Sequence, residues 1–209
     1  QEIDPERVSA TYYAAGLYKS LLDRVADPTG LIHQVDALMR RVTRDQLSQD
    51  FWTAREHRRL QINEMYRVFI DRIPSTEEVD YWLDQFQQGI DDLDFSIQFL
   101  SSREFVFLLR VQPVFFVGDL FKLALNKVGT DEERQPWIDL LNNEATHAEV
   151  IREILTSADR YNVLIEQFYR DFLGRGPTTI ELNGDFHAAN CTSIEMLARS
   201  ILGSQEYLT

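Results

Sequence analysis

The chain of 209 residues holds a single cysteine, Cys191, so no intrachain disulfide is available and the fold must rest on its core. Glycine and proline are sparse, at 9 and 6 residues. That scarcity argues against an all-β architecture with many tight turns, and against long flexible linkers. No run is long and apolar enough to cross a membrane. The nearest, residues 104–118, is interrupted by Arg110, Gln112 and Pro113. No signal-peptide pattern opens the chain, and it begins on Gln1 without a Met, which reads as a processed or excised piece of something longer. Positive charge is in deficit: 21 Lys and Arg face 34 Asp and Glu, a net charge of −13. Such a surface repels phosphate backbones and anionic lipid, which disfavours nucleic-acid and peripheral membrane binding. A Gly-rich phosphate loop, a nucleophile motif and a complete metal-ligand set are also lacking, so no catalytic residue, cofactor or metal is expected.

What is present is a fourfold internal repeat. Similar apolar–aromatic pairs recur at Leu17-Tyr18, Met65-Tyr66, Leu120-Phe121 and Phe168-Tyr169, with the aromatic anchors spaced 48, 55 and 48 residues apart. Five residues after each anchor come Asp23, Asp71, Asn126 and Gly174, types that tolerate a left-handed backbone and can end a helix. A cation follows each: Arg24, Arg72, Lys127 and Arg175. Nine residues after the anchor stand the N-cap types Asp27, Ser75, Thr130 and Thr178. Glu78, Glu133 and Glu181 complete a capping box in the last three, and Pro28 follows Asp27 in the first. A third helix opens at Thr43, Asp91, Thr146 and, in a shorter fourth copy, Thr192, with Gln46, Glu149 and Glu195 as partners of the threonines. Each copy closes on Phe51-Trp52, Phe99-Leu100, Ile154-Leu155 or Ile201-Leu202, followed by small and acidic residues.

Each copy therefore reads as three short helices. In the second copy, Ile62, Met65, Tyr66, Phe69 and Ile70 form one stripe, and Val79, Trp82, Leu83 and Phe86 form the next, which stops at Gly89. The third segment, with Leu93, Phe95, Ile97 and Phe99, alternates like a strand. The helical period of Val150, Ile151, Ile154 and Leu155 in the third copy decides for helix. The expected fold is all-α: tandem three-helix repeats, about twelve short helices, packed as two pairs into one compact or solenoid-like array. The anchor spacing suggests a first repeat pair over 1–105, a buried apolar connector over 106–119, and a second pair over 120–209.

Phe168-Tyr169-Arg170-Asp171-Phe172-Leu173-Gly174-Arg175-Gly176-Pro177 resembles the opening motif of a bacterial helical repeat of unknown function, roughly L-Y-x-D-x-L-G-R-x-P. In that repeat a Trp-bearing helix and a closing F-L-x-S-x-E-F/Y follow. Leu17 to Gly30 matches the opening with Asp23 for Gly, Phe99 to Phe105 matches the closing part, and the third copy is the most diverged at its start. The family occurs in secreted and cell-surface proteins, often beside RTX-type calcium repeats, and similar repeats anchor some surface-layer proteins to lipopolysaccharide. The phycobilisome linker domains share a related motif. The resemblance implies an all-helical fold and an extracellular or cell-surface location as part of a longer bacterial protein, and it carries no catalytic residues.

Several side chains have a sharper reading beside a plainer one. Glu144 and His147 have the spacing of a di-iron helix motif, but no second such pair exists. His187 and Cys191 lie four apart like a thiol–imidazole pair, with no orienting group in view. His33 and His57 belong to no motif. Asp91, Asp92 and Asp94 open a helix, where acids suit the dipole; weak surface calcium binding stays open. Trp52, Trp82 and Trp137 occupy repeat core positions rather than a sugar-stacking platform. The recurring cations Arg24, Arg72, Lys127 and Arg175 can serve the last carbonyls of a helix, or an anionic glycan as a repeated ligand contact.

The expected function is a non-catalytic interaction or scaffold module with a protein or cell-surface glycan as partner. A phycobilisome-linker-like structural protein is the alternative, against which the acidic balance counts. An uncharacterised enzyme is the second.

Overall fold

The computed structural model describes residues 4–108, 112–188, 193–204 and 206–208, and among them there is helix and no strand. The first repeat comprises α1 (Pro5–Leu22), α2 (Pro28–Met39) and α3 (Arg44–Thr53). The second comprises α4 (Arg55–Met65), which runs on into a single π-helical turn (Tyr66–Ile70), then α5 (Thr76–Gln87) and α6 (Asp92–Leu100). Next come α7 (Arg103–Leu108) and the third repeat, α8 (Pro113–Leu125), α9 (Asp131–Asn142) and α10 (His147–Leu155). The fourth has α11 (Ala158–Leu173), α12 (Thr179–Ala188) and α13 (Ile194–Leu202), with a final 3₁₀ turn at Glu206–Leu208.

The punctuation predicted from sequence sets these ends. Asp23, Asp71, Asn126 and Gly174 have φ of 49°, 55°, 51° and 69°, each one residue past the last residue of a first helix. Ser75 and Thr130 form complete capping boxes, and Thr178 exchanges the same two bonds with Glu181. Thr43, Asp91 and Thr146 cap the third helices of the first three copies. In the fourth copy the cap is Ser193, whose hydroxyl accepts from the Met196 amide at 3.2 Å; Thr192 lies outside the described residues.

The first helix of the second copy begins at Arg55 rather than near Ile62, because its opening turn (Arg55, Glu56) is polar and invisible to an apolar stripe. The helix that falls outside the three-helix repeats, α7, has a related origin. It opens three residues after α6 ends, as α11 does after α10, and so stands where a first helix should begin. Pro113, which lacks an amide donor, stands at the start of α8 and marks a fresh helix start there.

The segment 106–119, expected to be a buried connector, is thus the end of α7 and the start of α8, and only part of it is buried. Phe116, Val117 and Gly118 are enclosed, whereas Phe107, Leu108, Val114 and Phe115 are exposed; residues 109–111 are not described. The buried stripe of α8 continues through Leu120, Phe121 and Ala124 at helical spacing, which turns Phe115 to the opposite face, while Val114 stands exposed in the opening turn of the helix.

The repeats also associate differently from the order the anchor spacing suggests. One compact unit is Gln1–Leu60 with Glu166–Thr209, the other Gln61–Ile165, so the first repeat packs with the fourth and the second with the third. Third helices make the join in both: α3 lies against α13, and α6 against α10. A cation from the later helix bridges each join. Arg199 pairs with Asp45 in the first unit, and Arg152 with Asp94 at 3.3 Å in the second.

Aromatic side chains fill both interiors. In the second unit Tyr66 meets Phe99 edge-on at 4.9 Å, and Trp82 meets Phe95 at 4.9 Å. In the first, Tyr18 meets Phe51 at 4.9 Å, the same pair of repeat positions as Tyr66 and Phe99. The anchor aromatic thus closes each of these copies onto its own third helix. Fully burying such a ring contributes roughly 2 kcal/mol or more.

Candidate functional site

The cations that follow the first helices sit at the centre of a clasp built four times. The left-handed residue reverses the chain, and the next amide reaches back to the anchor carbonyl: Arg24 to Tyr18 at 3.3 Å, Arg72 to Tyr66 at 3.4 Å and Lys127 to Phe121 at 3.4 Å. The same carbonyl already accepts from the left-handed residue's own amide (Asp23, Asp71 or Asn126), so two successive amides converge on it, close the helix end and fold the cation back over the anchor ring. Arg24, Arg72, Lys127 and Arg175 lie 4.8, 4.6, 5.7 and 5.1 Å from the centroids of Tyr18, Tyr66, Phe121 and Tyr169.

Two carboxylates then hold the cation. The first is the capping-box glutamate of the following helix. Arg72 donates to Glu78 at 2.6 and 2.8 Å, Lys127 to Glu133 at 2.8 Å, and Arg175 to Glu181 at 2.6 and 2.9 Å. The second comes from the closing segment of the repeat, at the start of the next helical element. Arg24 donates to Glu56 at 2.5 and 3.1 Å and Arg72 to Glu104, both bonds at 2.7 Å. Lys127 donates to Asp159 at 2.6 Å and Arg175 to Glu206 at 2.5 and 2.6 Å. The acids at this second position were not singled out from sequence, although their recurrence 32, 32, 32 and 31 residues after the cation was the available signal.

The first copy is the variant. Gly30 stands where the other copies carry glutamate, and a Cβ there would lie 2.6 Å from the Tyr18 hydroxyl. Arg24 accordingly has one bidentate partner, with Asp27 only at 3.9 Å.

The electrostatic consequences follow from the pairing. Hydrogen bonding to Arg72 and to Arg175 holds the carboxyls of Glu78 and Glu181 down at about 2, and hydrogen bonding to their cations lowers Glu56, Glu104, Glu133 and Glu206. The same bonds raise Arg24, Arg72, Lys127 and Arg175 further above their ordinary values. All four cations are therefore engaged within the chain, each in its own clasp. Arg24 and Arg175 belong to one unit, Arg72 and Lys127 to the other.

Next to each cation the clasp leaves an apolar side chain outside. Val25, Ile73 and Val128 occupy one repeat position and are 89%, 88% and 62% exposed. In the fourth copy the position is Gly176, with Ile180 exposed nearby in the sequence. The Arg24 and Arg72 guanidiniums also donate to the Val25 and Ile73 carbonyls, at 3.4 and 3.3 Å, and Arg175 to that of Gly176 at 2.9 Å, so these turns are tied down.

The remaining candidates fall into place as parts of the fold. Trp52 and Trp82 are buried, Trp82 donating to the Tyr66 hydroxyl at 3.3 Å, and Trp137 packs half-buried against the core. His147 stands edge-on to Phe116 at 4.6 Å, and burial lowers its pKa. Asp91 accepts from the Asp94 amide at 2.8 Å, Asp92 accepts from Gln61 at 3.0 Å, and Asp94 meets Arg152. Among the described residues no group of three or more His, Cys, Asp or Glu is placed to hold a metal ion. His33 lies in α2, and no helix among the described residues is long and apolar enough to cross a membrane. Cys191 and the side chain of His187 lie outside the described residues.

His57 was unassigned from sequence and has a repeat role. Its Nδ1 is 2.7 Å from the Leu21 carbonyl. Arg160, at the equivalent position in the third copy, donates to the Ala124 carbonyl at 2.8 Å, and burial lowers its pKa to about 10. Both close a carbonyl left open near the end of a first helix.

No family model matches the chain, and neither a curated protein nor a solved structure matches it.

Proposed function

We propose that the chain is a non-catalytic interaction module of a bacterial secreted or cell-surface protein, and that it binds its partner through the turns that follow the first helices. One observation carries the reading: Val25, Ile73 and Val128 are presented to solvent at the same repeat position, beside a cation that fixes the turn. An aliphatic side chain on a tied turn loses little conformational freedom when a partner covers it, so its burial contributes to binding almost undiminished. The clasp cations act here as supports for that surface, and an envelope glycan or protein partner contacts the tips. Location in the envelope follows from the resemblance of the repeat motif and from it alone.

The test is capture from bacterial envelope fractions and on a glycan array, with the parent chain and a variant carrying Val25→Ser, Ile73→Ser and Val128→Ser. Because these side chains are exposed, helix content and unfolding midpoint should be unchanged while capture is lost. Equal capture by the two proteins would overturn the reading, as would an absence of any partner from both sources.

A further inference from the structure

We infer that the first repeat carries a binding groove for an organic monoanion with an apolar body, distinct from the clasp turns. The groove, of about 650 Å³, lies among the start of α1, the last turn of α2 and the first residue of α3. Leu38, Met39, Val42 and Ala10 supply its apolar lining, and Arg41, Arg44, Ser9 and Glu6 its polar groups. That size and mixture are those of a small-molecule site: mostly apolar walls with a few polar groups that fix orientation.

Many cations of the fold are paired within the chain. Arg24, Arg72, Lys127, Arg152, Arg175 and Arg199 each meet a carboxylate of the chain. Among the described residues Arg40, Arg41 and Arg44 meet none, three cations within five residues of a chain whose net charge is −13. Arg44 is also held in place. It donates to the Ser9 hydroxyl at 3.0 Å, its guanidinium lies 5.1 Å from the Tyr13 ring centroid, and its own carbonyl accepts from the Tyr13 hydroxyl at 2.9 Å. A guanidinium has five N–H donors, so most of the fork is left for a ligand. Arg41 stands in the left-handed turn that follows the second helix of the repeat, φ 80°, the position of Gly89 and Glu144 in the next two copies, a conformation that costs a residue with a Cβ.

A carboxylate seated on Arg44 and Arg41 leaves its hydrocarbon part against Leu38, Met39 and Val42. Glu6, on the groove's edge, limits the charge accepted and sets the specificity for one negative group over two.

The experiment is titration calorimetry of the full chain at low ionic strength with octanoate, octanamide and inorganic phosphate. Octanoate should bind saturably, one per chain, and octanamide and phosphate at least tenfold more weakly, on the order of one charge-assisted hydrogen-bond pair. Arg44→Met keeps the aliphatic stem and should weaken octanoate about tenfold. Arg41→Gly relieves the backbone while removing the cation, so it should weaken octanoate in a chain at least as stable as the parent. Glu6→Gln should tighten it. The inference fails if octanoate shows no saturable binding, if octanamide or phosphate binds as well, or if the three variants all bind octanoate with the parent affinity. Loss of envelope capture by the Val25, Ile73 and Val128 variant leaves this outcome untouched, so the two readings fail separately.

Discussion

Arg72 tests the clasp most directly, because it has both carboxylates and a ring. Replacing it with alanine removes four bonds to Glu78 and Glu104 and the contact with Tyr66, and leaves the two carboxylates facing each other without a cation. The Arg72 and Glu78 side chains are each one-third exposed and Glu104 somewhat more, so the pairs are screened. Each screened pair contributes about 0.5–1 kcal/mol, and the ring contact about 0.5 kcal/mol. Arg72→Ala should therefore lower the unfolding free energy by about 2 kcal/mol. Arg72→Lys keeps the charge but not the fork, and should lose about half as much. Urea unfolding followed by circular dichroism, in low salt and again in about 1 M sodium chloride, is the assay, and the loss should shrink at the higher salt. A double-mutant cycle with Glu104→Gln isolates the inter-helix arm without disturbing the Ser75 cap, and should give a coupling of about 0.5–1 kcal/mol. An Arg72→Ala loss under about 0.3 kcal/mol with no coupling to Glu104 would refute the clasp as a stabilising device.

Gly174→Ala should cost about 1 kcal/mol, because φ 69° is strained for a residue with a Cβ and the position has open space that rules out a clash; an unchanged urea midpoint would count against the strain argument. Thr130→Ala removes one half of a capping box and should cost about 1 kcal/mol, whereas Thr130→Ser should be nearly silent in the same melt. Phe99→Ala, which empties the space beside Tyr66 and Trp82, should cost about 3–5 kcal/mol and leave the isolated chain close to its unfolding threshold at room temperature. The folded pKa values of Glu78 and Glu181 are depressed to about 2, so their contribution is fully present above their ordinary value of 4.5 and is lost as pH falls through about 2. Thermal midpoints of the parent should decline over that window, and a Glu78→Gln/Glu181→Gln variant should decline less; parallel profiles would show that the clasp carboxylates are not the cause.

The sequence by itself determined the repeat, the helical class and the punctuation, because these are local. A left-handed residue such as Asp71, a cap such as Ser75 with Glu78, and the stripe Ile62, Tyr66, Phe69 are settled by neighbours within a turn or two. Local reading fell short where the decisive partner is remote along the chain. The cations Arg72 and Lys127 were open to a ligand on sequence grounds; only folding brings Glu104 and Asp159 to them across about thirty residues. The exposed half of the segment 106–119 was misread because apolar content alone does not say which face of α8 meets a core. The association of the first repeat with the fourth lies furthest from local reading. The spacing of similar anchors describes the units along the chain. Which third helix covers which, α3 with α13 or with a sequence neighbour, is decided by complementary apolar faces and a cation such as Arg199 meeting Asp45. Only tertiary structure carries that information, because every third helix offers much the same apolar face and the choice among them depends on three-dimensional fit.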